Sequence, residues 1–258
     1  MDDESAGVRL ELDGAVATVT LCRPAVLNAQ TPATWAALAG IGRDLPGSAR
    51  LVVVRGEGRA FSAGLDRAAF TGATAAGGPS FADMARMSDD ECAAVIERYQ
   101  RGFSWLRRPD LVSVAAVRGH AIGAGFQLAL ACDLRVLADD AQLAMAETSL
   151  GLVPDLGGTK PLVNLVGPAR AMEICLTGRR VGADEAARIG LANLVVPGPD
   201  LDAAVADLVA ALLAAPRNAV VETKALLLGA PDRTQAEQEA AERAAQARRL
   251  RDLAGLGE

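Results

Sequence analysis

Two stretches of this chain share one design, and that design limits the fold more than any other feature. In VVVRGEGRAFSAGLD (52–66) and VAAVRGHAIGAGFQL (114–128), an apolar β-branched run leads into a small-residue turn and then a helix start. Fully apolar runs predict buried strands, each leading here into a turn and a helix. Small residues in the turns let backbone approach a ligand and leave helix-start amides unpaired, where they attract negative charge. Two such turns aimed at one point make an oxyanion hole, worth roughly 3–4 kcal/mol per donor at a transition state. The plainer reading is that the glycines only allow strand to pack tightly on helix.

Flanking segments fit an α/β chain. VRLEL (8–12) and AVATVTL (15–21), joined by Asp13-Gly14, predict a hairpin. Thr31-Pro32 predicts a helix N-terminus, with Thr as cap and Pro in the first turn. Further strands are expected at 51–55, 111–117, 133–138 and 193–196, and helices at about 89–107 and 124–131. TGATAAGGPS (71–80) reads as a mobile loop. Pro197-Gly198-Pro199 is the best boundary, dividing a core (1–196) that carries the site from a helical region (197–258). The last helix, about 234–253, is dense in Glu and Arg at i,i+4 spacing.

Composition excludes several chemistries. A net charge of −6 argues against nucleic-acid binding, which needs clustered cations. No apolar stretch is long enough to span a bilayer, and the acidic start MDDESAGVRL is unlike a signal peptide. These features predict a soluble, cytoplasmic protein. Cys22, Cys92, Cys132 and Cys175 lack C-x-x-C spacing and read as small buried hydrophobes in a reducing compartment. His120 is the only histidine, which removes a structural zinc site and most Ser-His-Asp or Cys-His catalysis. No metal and no separate cofactor are expected. Catalysis must rest on carboxylates and backbone groups.

RPAVLNA (23–29), GRAFSAGLD (58–66), GHAIGAGFQLALACD (119–133) and AETSLGLVPDLGGT (146–159) occur in this order. Together they resemble the signature segments of the enoyl-CoA hydratase/isomerase (crotonase) family, over nearly the whole chain to about residue 228. The resemblance implies a spiral of repeated ββα units with a C-terminal helical region, a homotrimer or dimer of trimers, and an acyl-CoA thioester as substrate. It implies backbone oxyanion donors at Leu65 and Ala124. It also implies CoA contacts, largely through backbone, in two loops that include Arg23, Val26, Leu27, Ala63, Asp66, Arg67 and Ala68. The final helix departs from the basic-aromatic ending common in the family.

The family's hydratases use two glutamates. At the first position this chain has Gln127, and at the second Glu147. Gln cannot exchange a proton at neutral pH, although its amide can orient water or a substrate oxygen. Asp155 stands where many hydratases carry glycine and where some dienoyl-CoA and ring isomerases carry aspartate. Glu147 with Asp155 therefore implies a double-bond shift in an enoyl- or dienoyl-CoA. Two alternatives stay open: a hydratase adding water across the 2,3 bond, and a non-catalytic acyl-CoA binder. Structural readings stand beside these, with Glu147 and Asp155 as turn residues and Gln127 as a hydrogen-bond partner only. Asp66 and Asp133 are expected to cap helices or pair with arginines, His120 to be incidental, Lys224 to be solvated, and Ser62 to lack a base partner.

Overall fold

The computed structural model describes residues 4–66 and 77–256. Arg67, Ala68 and most of the 71–80 loop lie outside the described residues.

The chain opens with the expected hairpin, β1 (Val8–Asp13) and β2 (Val16–Leu21), paired antiparallel with Asp13 opposite Val16. Helix α1 (Pro32–Asp44) starts as predicted: the Thr31 hydroxyl accepts from the Thr34 amide, and Pro32, which has no N–H to lose, fills the first turn. It crosses over to β3 (Leu51–Gly56), parallel to β2. After α2 (Phe81–Met84) and α3 (Asp89–Ser104) come β4 (Val112–Val117), β5 (His120–Ile122) and α4 (Ala124–Ala131). Then follow β6 (Leu134–Ala138), β7 (Gln142–Ala144), α5 (Thr159–Val166), α6 (Pro168–Thr177), β8 (Val181–Gly182), α7 (Ala183–Arg188) and β9 (Leu194–Val196). Three helices end the chain: α8 (Leu201–Ala214), α9 (Arg217–Gly229) and α10 (Gln235–Leu253).

The strands form a six-stranded sheet, β1-β2-β3-β4-β6-β9, and a smaller one, β5-β7-β8. Each spiral turn lays a long strand in the first sheet and a short one in the second: β4 then β5, β6 then β7. The β3 turn adds a single bridge, Ser62 to Ala121. This is the expected spiral of ββα units.

The unbroken apolar runs have a clear cause. Val52 and Val54 of β3 face one core with Trp35, Phe103 and Phe126, while Val53 faces a second under Leu201 and Val205 of α8. Both faces are covered over Leu51 to Val54, so none of these four positions can be polar without cost. Each fully buried Val or Leu contributes about 1.5–3 kcal/mol.

The C-terminal helices correct one expectation. Lys224 of α9 is not solvated: its ammonium donates to the Leu111 carbonyl and to Asp133 Oδ2, both at 2.7 Å. Burial lowers its pKa, against the pull of Asp133. Asp133 pairs with this lysine and with Ser113 rather than with an arginine or as a helix cap. Helix α10 pairs both across to α9, Arg248 to Glu222 at 2.7 Å, and along its own length, Arg249 to Asp252 at 2.7 Å. Of the four cysteines, all free, only Cys132 is fully buried. No single described helix is long and apolar enough to cross a membrane, and no described cluster of acidic, His or Cys residues suits a metal ion.

Candidate active site

The two small-residue turns lie against each other. The Ser62 amide donates to the His120 carbonyl at 2.8 Å, and the Ile122 amide donates back to the Ser62 carbonyl at 3.0 Å. Gly64, at φ +87°, sits so close that a Cβ there would lie 2.5 Å from the Ile122 carbonyl oxygen and 3.6 Å from the Ala124 nitrogen. Only glycine meets both demands.

Neighbouring bonds dictate where the two amides point. A bridge to Gln30 uses the Gly64 carbonyl (2.7 Å from the Gln30 amide) and the Asp66 amide (2.8 Å from the Gln30 carbonyl). In that alternation Leu65's own N–H must project to the opposite side. Gly123 donates to the Ala144 carbonyl at 2.8 Å, which leaves the next amide, Ala124, as the first of α4. Gly123 gives α4 no side-chain cap. Among the described residues, neither the Leu65 nor the Ala124 amide has an acceptor. Tight packing and freed amides are thus one device rather than rival readings of the glycines.

Glu147 follows β7 and opens a short 3-10 turn (Glu147–Leu150). Its Oε1 accepts from Gln127 Nε2 at 2.7 Å and stands 3.3 Å from where a Gly123 Cβ would be, beside the Ala124 amide. Its Oε2 is buried and has no hydrogen-bond partner among the described residues. Burial raises the Glu147 pKa, opposed by its own backbone and by Gln127, and Asp155 raises it further. Asp155 is raised by burial as well. It is not a helix cap, since Gly158 holds that place for α5.

Gln127 is almost fully buried on α4. Besides its bond to Glu147, its Oε1 accepts from the Leu156 amide (2.9 Å) and the Gly158 amide (3.2 Å). One side chain thereby ties the Glu147 turn to the loop that carries Asp155. This role depends on contacts with residues some 30 positions away, which no local motif displays.

The loops expected to meet CoA are knitted together. Arg23 donates to the Ala29 carbonyl (2.7 Å) and to Asp66 (2.9 Å), so Asp66 pairs with an arginine as expected. Leu27 and Asn28 adopt left-handed backbone, and the Ala63 amide donates to the Leu27 carbonyl at 2.8 Å. Val26 is 45% exposed at the rim. Sequence reasoning passed over two buried amides here. Asn28 donates to the Glu57 and Ala60 carbonyls, and Gln30 donates to Ser62 Oγ while accepting from Trp35 Nε1. Polar residues inside RPAVLNAQ, between a strand and a helix start, were the available signal. Ser62 has only structural partners, Asn28, Gln30 and Gly64. Arg179 pairs with Glu173 and Glu185, so it offers no open cationic patch.

Comparison with known proteins places the chain in a family. The family model described as enoyl-CoA hydratase/isomerase matches residues 11–252. A probable enoyl-CoA hydratase of Rhodobacter capsulatus is 38% identical over 195 residues, covering 76% of this chain and 70% of its own. A Thermobifida fusca YX protein assigned as an enoyl-CoA hydratase, solved with CoA, is 52% identical, with TM-score 0.93 over 98% of this chain and 96% of that one. The same protein solved with acetoacetyl-CoA is 53% identical, with TM-score 0.93 over 96% of each. On these matches, the chain belongs to the enoyl-CoA hydratase/isomerase family and is an enzyme of that type.

Proposed function

We propose that this enzyme shifts a double bond in an enoyl- or dienoyl-CoA thioester. One observation carries the reading: among the described residues, Glu147 Oε2 has no partner and lies beside the Gly123 turn, and the Leu65 and Ala124 amides have no acceptor. A thioester oxygen received by both amides becomes enolate-like as a proton leaves carbon, and its charge is stabilised by donors that need not reorganise. Glu147 takes that proton through Oε2. Its raised pKa brings it nearer to working pH, where a carboxylate is a better base. Asp155, a half-buried carboxyl whose charge acts on the first, returns a proton farther along the chain.

Gln127 is the reason for preferring isomerisation. Hydration in the two-glutamate manner needs a second carboxylate at this place. Here the side chain is an amide whose oxygen is already taken by two backbone N–H groups. The second reading, hydration with Glu147 activating water, is favoured by the name of the R. capsulatus relative. The T. fusca complexes support CoA thioesters as the ligand class for this chain. CoA itself is part of the substrate, so no separate cofactor is assigned. Arg23 to Leu27 and Ala63 to Ala68 are proposed to hold it. Exposed Leu150, Val153, Met172 and Leu176 suit self-association as a trimer or dimer of trimers, with 197–258 contributing.

A panel of 2-enoyl-, 3-enoyl- and dienoyl-CoA thioesters tests the reading. The conjugated thioester absorbance should rise with 3-enoyl-CoA and stay nearly constant with 2-enoyl-CoA. Rapid loss of that band from 2-enoyl-CoA, with 3-enoyl-CoA inert, would establish hydration instead.

A further inference from the structure

A cavity of about 510 Å³ lies away from the converging turns, between α9 and the far end of α4. Leu130, Leu134 and Leu165 wall it on the core side, and Val220, Leu227 and Leu228 on the α9 side. None of Leu65, Ala124, Gln127, Glu147 or Asp155 borders it. At ~1.5 Å of rise per residue, Leu130 stands roughly 9 Å along α4 from the Ala124 amide. Exposed Asn164, Thr223 and Leu227 also border the space, so it opens to solvent between α5 and α9. A concave, mostly apolar space of this size with a few polar groups has the makeup of a small-ligand pocket, ~300–1,000 Å³.

The ionic groups around it are unbalanced. Arg107, Arg135 and Lys224 border the cavity against Asp133 alone, three cations to one anion. Lys224 is taken up by Asp133 and the Leu111 carbonyl. Arg135, nearly fully buried, donates to the Leu191 and Cys132 carbonyls, both at 2.7 Å. Arg107 is different. It ends the short turn Trp105–Arg107 and is half-buried, and its guanidinium has no ion pair or hydrogen bond among the described residues. Burial first, and then the charge of Arg107, lowers the pKa of both Lys224 and Arg135, against the pull of Asp133. The open donor is thus a planar guanidinium beside apolar walls, and such a group pairs with a carboxylate through two parallel N–H···O bonds. No aromatic side chain is among the residues that border the cavity. Nothing there is set to stack on a ring, so an aliphatic chain suits the walls better than an aromatic acid.

We propose that this cavity is a second ligand site that takes a medium-chain monocarboxylate. The carboxylate pairs with Arg107, and the hydrocarbon chain lies between α9 and the leucines of the core. No bond is made or broken there. The site goes beyond the function proposed above and does not depend on it.

The test is calorimetric binding of decanoate, butyrate and decan-1-ol to the wild type, to Arg107→Gln and to Ala219→Phe, which places a ring in the cavity from α9. Arg107→Gln removes no bond within the chain, so its fold should be intact. The wild type should bind decanoate, with butyrate at least about 100-fold weaker for the loss of six methylenes. Arg107→Gln should weaken decanoate about 10-fold or more and leave decan-1-ol within about 2-fold. Ala219→Phe should weaken both ten-carbon ligands. No binding of decanoate by the wild type overturns the proposal. Binding that survives either substitution also overturns it, because the ligand then sits elsewhere, the candidate active site included. Equal weakening of decanoate and decan-1-ol by Arg107→Gln overturns it too, by showing that Arg107 only supports the local structure.

Discussion

Glu147 holds its two oxygens in different states, and the proposed chemistry depends on that difference. Oε1 is fixed by Gln127 at 2.7 Å, and Oε2 is buried and unpartnered. Glu147→Gln should lower turnover by about 10²–10⁴-fold, as loss of a general base does, while CoA affinity is spared. Steady-state kinetics with parallel binding measurements check this. Because burial raises its pKa, the acid limb of kcat/KM against pH should lie above the ordinary glutamate range. The same shift affects stability. A carboxyl whose folded pKa is raised binds its proton more tightly when folded, so its contribution is fully present below the unfolded pKa. That contribution is lost as pH rises through the folded value. Glu147→Gln should therefore raise the Tm at neutral pH more than at pH 4. Gln127→Glu would set two carboxylates 2.7 Å apart, sharing a proton, and should move the acid limb of the pH profile further upward. Glu147 and Asp155 stand out as candidates because a flanking motif marks each place, and their roles remain those proposed above. The clamp by Gln127 was not, since its partners Leu156 and Gly158 reach it only through the fold.

The elements repeat this pattern. Strands such as β3 and β4 were legible because both faces are buried and the apolar run is continuous. Strands β5, β7 and β8 have three residues or fewer, too short for any period to show, yet β5 and β7 place the Gly123–Ala124 turn and Glu147. The turn at Gly64 carries the sharpest test at this scale. Gly64→Ala must hold a side chain at φ +87° with its Cβ 2.5 Å from a carbonyl oxygen, so the Leu65 amide has to move. Backbone strain of this kind costs about 1–3 kcal/mol, and losing one oxyanion donor costs about 10²–10³-fold in kcat. Chemical denaturation and kinetics should show a modest stability loss beside a much larger loss of turnover.

Across the whole molecule, α9 is fastened to the core by an ion pair that composition could not reveal. A lysine in an Ala-rich helix reads as solvated, but Lys224 reaches the buried Asp133 and the Leu111 carbonyl. Lys224→Ala removes one partner of a buried pair and should destabilise by about 3–5 kcal/mol, read as a lower denaturation midpoint. If α9 is docked this way without touching the reacting atoms, kcat in the surviving folded fraction stays near wild type.

The central claim is that two peptide amides, Leu65 and Ala124, receive one thioester oxygen. Isotope-edited infrared difference spectroscopy of a 2-enoyl-CoA labelled with ¹³C at the carbonyl, bound to Glu147→Gln protein, addresses it directly. The bound carbonyl stretch should fall well below its frequency in water, as double hydrogen bonding polarises the bond. A bound thioester whose carbonyl keeps its solution frequency would contradict the account.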